Sequence, residues 1–339
     1  MNNPIIVFIM ITSFITSNSF SQKTIGSIDR IEKEINSLID KNAKIEVLAD
    51  GFDWSEGPVW SNELNGLLFS DVPQNKIYFW NEKDGVTEFI SPSGYTGFSI
   101  TSGREIGSNG LTFNSNGNLL LAQHGDRRVS MLTSKLKKDS RPKYKSIVDS
   151  YNGKRFNSPN DLIASKNGDI YFTDPPYGLK KQDNDPLKDL DFNGVYKYSN
   201  GKIYLISKEL TRPNGLALSN DESLLYVANS DPKKAVWYVF DITNTPEGLI
   251  ESHPLVIFKD VTNLVGKKRG LPDGMKIHSS GNIFATGPGG VLIFSPSGKH
   301  LGTIQTEVST SNCAFDSDEN YLYMTSDNYL TRIKLINND

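Results

Sequence analysis

Apolar and polar positions alternate along most of this chain in short runs, and the runs recur in a fixed order. Six oxygen-bearing residues each open one: Glu56-Gly-Pro-Val-Trp, Asn109-Gly-Leu-Thr-Phe, Asn160-Asp-Leu-Ile-Ala, Asn214-Gly-Leu-Ala-Leu, Asp273-Gly-Met-Lys-Ile and Asn312-Cys-Ala-Phe-Asp. A polar turn follows each, at Asn65-Gly66, Asn116-Gly117-Asn118, Asn167-Gly168, Asn220-Asp221-Glu222, Ser280-Gly281 and Asp318-Glu319-Asn320. Second apolar runs come next, at 67–70, 119–122, 170–173, 224–228, 283–285 and 321–325. Alternation of period two across Asn-Gly-like turns predicts β-hairpins. Third strands are expected at 76–80, 129–132, 195–198, 236–240, 291–294 and 330–335. The openings lie 53, 51, 54, 59 and 39 residues apart. A repeat of about 40–50 residues with several strands each predicts propeller blades.

The sixth repeat reaches Asp339 with three strands, while a strand at 44–49 precedes the first repeat without a partner. The prediction is therefore an all-β, six-bladed β-propeller closed by that N-terminal strand, since closure removes open sheet edges. Ile28, Ile31, Ile35, Leu38 and Ile39 have the spacing of one helix face, which predicts a short amphipathic N-terminal helix on the outside. The expected organisation is a leader over 1–21, a helical extension over 22–43 and the propeller over 44–339.

Composition changes this picture little. The 339 residues are 37% hydrophobic and 22% charged, as in ordinary globular proteins. A net charge of −3 without a basic tract offers nothing for nucleic-acid phosphates. The leader reading rests on the apolar run Ile5–Ile15, too short to span a bilayer, and on Ser19 and Ser21, spaced as at a signal-peptidase site. No Lys or Arg precedes the run. Cleavage after Ser21 would yield an exported protein, periplasmic or extracellular, with no membrane span remaining. Cys313 is the single cysteine, so stability must come from the core rather than from an intrachain disulfide.

Candidate chemistry follows from the predicted fold. The first strand of a blade lines the central channel, so the six opening residues project near the axis on one face. Turn preference accounts for Asn and Asp at strand starts, but poorly for Glu56. Two acids beside four amides on one ring suggest a site for one divalent metal. Carboxylate and amide oxygens suit a hard cation: Ca2+ is expected, with Mg2+, Mn2+ or Zn2+ as alternatives. A structural zinc site of Cys and His is excluded by the single Cys and the lack of a suitably spaced His pair. Loops between second and third strands must roof the ring, at 123–126, 174–178, 229–231 and 287–290. His124 in the first of these would touch substrate or move a proton, or else make a structural hydrogen bond to a neighbouring blade. Tyr177 is expected to wall the pocket, and Arg127 and Arg128 to form inter-blade ion pairs. His253, His278 and His300 are expected at the surface.

These stretches resemble the gluconolactonase / regucalcin / luciferin-regenerating-enzyme family of six-bladed propellers, in its bacterial gluconolactonase-like branch. The resemblance runs from about Ile45 to the C-terminus. It rests on Ser55-Glu-Gly-Pro-Val-Trp60, Gln123-His-Gly-Asp-Arg-Arg-Val129, Ser158-Pro-Asn-Asp-Leu162, Tyr171-Phe-Thr-Asp-Pro-Pro-Tyr-Gly178, Arg212-Pro-Asn-Gly-Leu216 and Leu271-Pro-Asp-Gly-Met275. It implies that Glu56, Asn160, Asn214 and Asp273 hold the metal and that Asp273 is also the catalytic carboxylate. Asn109 and Asn312, with His124 and Tyr177, are left to bind substrate.

The implied activity is metal-dependent opening of a sugar lactone, gluconolactone-like, to the aldonic acid. The cation would polarise the carbonyl while Asp273 deprotonates water or attacks directly, with His124 as the alternative base. No Gly-x-Ser-x-Gly nucleophile elbow occurs. Rival readings are a metal-dependent phosphotriesterase or arylesterase on the same scaffold, and a non-catalytic ligand-binding propeller. A quinone-dependent dehydrogenase would need a basic and aromatic cofactor platform that does not stand out. The pattern leaves the oligomeric state open.

Overall fold

The alternating runs form antiparallel strands in the computed structural model, which describes residues 22–138, 141–243 and 256–336. The expected leader over 1–21 and His253 lie outside the described residues. Five four-stranded units follow in chain order, and their innermost strands are Ser55–Ser61, Ser108–Phe113, Leu162–Ala164, Pro213–Leu218 and Met275–Ile277. The sixth blade is built from Asn312–Phe315, Tyr321–Ser326 and Tyr329–Lys334, and its fourth strand is Ile45–Asp50. Ile45 pairs with Ile333 and Asp50 with Tyr329, so the chain's beginning closes the ring as predicted. Each innermost strand contacts the next around the circle, and the last contacts the first.

Apolar side chains fill every gap between neighbouring blades. Leu68, Ile77 and Phe79 of blade 1 meet Leu111 and Leu121 of blade 2, for example. Leu67, Phe69 and Trp80 meet Tyr323 and Leu330 across the closing gap. Burying side chains of this size contributes roughly 1.5–3 kcal/mol each, so the inter-blade layers are the main cohesive element of a chain with one free cysteine.

The N-terminal extension differs from its predicted form. Helix is limited there to a five-residue 3-10 segment, Lys33–Ser37. Before it, Thr24–Ile25 and Ser27–Arg30 are edge strands, on blade 6 and blade 5 respectively. Ile35, Leu38 and Ile39 pack into the gap between blades 5 and 6 as the periodicity suggested, whereas Ile31 is exposed. The outer strand His300–Gln305 offers unpaired backbone groups, and Ser27–Arg30 takes them up before a helix can start. No helix among the described residues is long and apolar enough to cross a membrane.

Candidate active site

Each opening residue sits where an inner strand enters the channel. A register shift follows it in three blades, between Glu56 and Val59, Ser108 and Leu111, and Pro213 and Leu216. Such bulges re-aim side chains at the rim of a closed sheet. In four of the six blades the residue next in sequence is a glycine required by close approach. A Cβ on Gly57 would lie 2.0 Å from Asn109 O, and one on Gly274 2.0 Å from Asn312 Cγ. Only glycine lets adjacent inner strands come so near, and that closeness brings their opening side chains together.

One cavity of about 490 Å³ receives Glu56, Asn109, Asn160, Asn214 and Asp273, with Tyr177 on its wall. Side chains from five blades thus converge, including all four that the family resemblance assigns to a metal. Ser230, in the second strand of blade 4, and Pro232, just after it, roof the cavity, whereas 287–290, expected to do the same, does not line it. Trp54, Glu105, Val265, Leu271 and Thr310 also line it, and they come from the connections between blades. That contribution was missed, although the same parity argument contains it: a segment leading into an inner strand must arrive on the face where that strand begins. Lys268 is the cation among the lining residues and is exposed at the rim. A larger cleft of about 940 Å³, beside Phe98 and Tyr144, contains none of the six ring residues.

The electrostatics of the cavity favour a cation. Burial pushes the Glu56 carboxyl up to about 8, against the opposing effect of the Gly57 N–H it accepts at 3.0 Å. Asp273 is held well above the ordinary carboxylate range by burial, and then by Glu56 and Asp161. Burial raises Glu105 and Asp161 as well, with Lys276 partly compensating Asp161. Asn109 Oδ1, Asn160 Oδ1 and Asp273 Oδ1 are buried without hydrogen-bond partners. Acceptor oxygens left unpaired beside crowded carboxylates cost free energy that a cation would recover. The donor set therefore fits a hard, oxygen-preferring ion. Among the described residues, no three Asp, Glu, His or Cys side chains form a metal-binding group. A cation here would depend on the amide oxygens as much as on Glu56 and Asp273.

Two predicted substrate contacts lie elsewhere. His124 is fully buried behind the wall, and its Nε2 is 3.4 Å from Asn160 Nδ2. Burial lowers it to about 4, so the ring is neutral near pH 7. It makes the hydrogen bond to a neighbouring blade rather than facing the cavity. Asn312 is buried, does not line the cavity, and donates to Asp161 Oδ2 at 3.3 Å. That link follows from Asp161 standing where four other repeats have glycine or Asn312's own repeat has cysteine. Arg127 donates from Nε to Phe156 O at 2.6 Å rather than forming the expected inter-blade ion pair, and Arg128 pairs locally with Asp126 at 2.9 Å. His278 is buried rather than superficial, beside Phe284 and Phe315 and 3.2 Å from Glu319.

Comparison with known proteins agrees with this architecture. Residues 54–328 match the family described as the SMP-30/Gluconolactonase/LRE-like region. A gluconolactonase of Zymomonas mobilis is 40% identical over 323 residues, covering 94% of this chain and 88% of the relative. The structure of a gluconolactonase from Xanthomonas campestris superimposes with a TM-score of 0.76 at 26% identity, over 92% of this chain and 97% of that one. A calcium-binding regucalcin from Agrobacterium tumefaciens shares the fold, with a TM-score of 0.63 at 15% identity over 85% and 93% of the two chains.

Proposed function

Because this chain belongs to the SMP-30/gluconolactonase/LRE-like family, we propose that it hydrolyses a sugar lactone to the aldonic acid. It is a carboxylic ester hydrolase acting on lactones, as its gluconolactonase relatives are named. The observation that carries the reading is the convergence of Glu56, Asn160, Asn214 and Asp273 on one cavity, with buried acceptor oxygens unpaired.

Those four side chains would hold the divalent cation, with Ca2+ expected first from the oxygen donors and Mg2+, Mn2+ or Zn2+ as alternatives. When bound, such an ion supplies Lewis-acid polarisation of the ester carbonyl. Asp273 receives the proton of the attacking water. Its Oδ1 has no other partner, and burial, followed by the charges of Glu56 and Asp161, raises its affinity for a proton. The water oxygen bonds to the carbonyl carbon, the ring C–O bond breaks, and the proton passes from Asp273 to the departing alkoxide. Asn109 is free to hydrogen-bond a sugar hydroxyl, while Trp54, Tyr177 and Leu271 present apolar faces to the ring carbons.

Asp273→Asn should lower kcat on aldonolactones by about 10²–10⁴-fold, read by pH-stat titration. The blades should remain intact by circular dichroism. Full turnover in that variant would reject the role of Asp273. A panel including aryl esters and phosphotriesters tests the lactone preference, which faster turnover of those esters would overturn.

The proposal includes export. Residues 1–21 act as a leader, supported by the apolar run and the Ser19-x-Ser21 spacing, and the enzyme works in the periplasm or outside the cell. Sequencing the mature N-terminus from cell fractions should find Gln22, and an intact Met1 would refute cleavage.

A further inference from the structure

Both amides proposed as ligands are gripped from behind, and hydrogen-bond chemistry decides which end of each faces the cavity. Asn214 Nδ2 donates to Ser230 Oγ at 3.1 Å. Ser230 Oγ gives its one proton to Pro272 O, so it can only accept from Asn214. The amide nitrogen is thereby fixed outward and Oδ1 is left to the cavity.

Asn160 repeats this device with a different partner. Its Nδ2 meets His124 Nε2 at 3.4 Å, and its Oδ1 is buried without a partner. His124 belongs to the loop after the second strand of blade 2, one blade away from Asn160, and does not line the cavity. A neutral imidazole carries its proton on one nitrogen and accepts at the other; Nδ1 is buried without a partner, so the contact at Nε2 decides which. With the proton on Nε2, the ring would attract Asn160 Oδ1 instead. The amide would then turn an N–H toward the carboxylates, and a cation would be repelled. We propose that His124 is a positioning residue: its Nε2 lone pair holds Asn160 with Oδ1 turned into the cavity, preorganised for a cation. This rests on the reading of Asn160 as a ligand, and it gives the buried histidine a function other than proton transfer.

The test uses the full mature chain, stripped by chelation and titrated with Ca2+ alone in a calorimeter. His124→Leu, which removes the acceptor, should weaken Ca2+ binding about 10–100-fold, the usual effect of losing a side chain that orients a metal ligand. His124→Gln, whose Oε1 can accept from Asn160, should restore most of the affinity. At saturating Ca2+ both variants should recover most of kcat on an aldonolactone. Wild-type Ca2+ affinity in His124→Leu, or loss of kcat in both variants at saturating Ca2+, would overturn the proposal. Asn160→Ala and Glu56→Gln serve as controls: unchanged Ca2+ binding in both would defeat the metal reading itself. Should the leucine variant fail to fold, the 15N shifts of His124 in the unmodified protein decide, and a proton on Nε2 overturns the inference.

Discussion

Asp174 shows how single residues behind the cavity set its shape. Its carboxylate accepts the N–H groups of Asn157 and Ser158, each at 2.8 Å, and so anchors the Asp174-Pro-Pro-Tyr-Gly178 loop that carries Tyr177. Burial pushes this carboxyl up to about 7. The unfolded chain releases the proton near pH 4, about three units earlier, so stability falls as pH rises from about 4 to about 7. Asp174→Asn cannot titrate and should lack that slope. The parent's melting temperature should therefore fall relative to that of the variant between about pH 4 and about pH 7, and a constant gap across the window would refute the assignment. At this scale, the ring residues were legible because an oxygen-bearing side chain at the start of an inner strand has few other uses. His124 was not, since a loop sequence does not state which way its ring turns. Glu105 was hidden for a simpler reason: nothing in Arg104-Glu105-Ile106 distinguishes it from a solvated connection.

At the scale of elements, hydroxyls on the second strands of blades 1, 3 and 5 tie inner segments to the next blade. Ser70 Oγ donates to Asn109 O at 2.9 Å, Thr173 Oγ1 to Asn214 O at 2.8 Å, and Thr286 Oγ1 to Ser311 O at 2.9 Å. These bonds steady the backbone from which the cavity residues project. Thr173→Val keeps the volume but leaves the Asn214 carbonyl buried and unpaired, which should cost about 1–3 kcal/mol. A denaturant midpoint unchanged from the parent protein would dismiss that role. Hairpins and their order were readable from period-two alternation and Asn-Gly turns. The N-terminal extension was misread because Ile28 satisfies helical spacing and strand pairing alike. The vacant edge of blade 5 decided between them, and that edge exists only once the blade has formed.

For the whole molecule, a cation bridging several blades couples ligand binding to global stability. A ligand specific for the folded state stabilises by about 4 kcal/mol when its free concentration is a thousandfold above Kd. Chelation should accordingly lower the melting temperature by several degrees, and added Ca2+ should restore it, as scanning calorimetry can follow. An unchanged melting temperature would mean that no ion joins the blades. The ring itself has a further consequence. Its seam pairs Ile45–Asp50 with Tyr329–Lys334, so an early strand must wait for the last described one. Joining distant segments carries an entropic cost that grows only slowly with their separation, but it delays the moment of locking. During synthesis the chain therefore remains an unfastened belt, able to be threaded elsewhere before it buckles. A product cut short lacks its clasp, which makes completeness of the polypeptide a condition of its maturation.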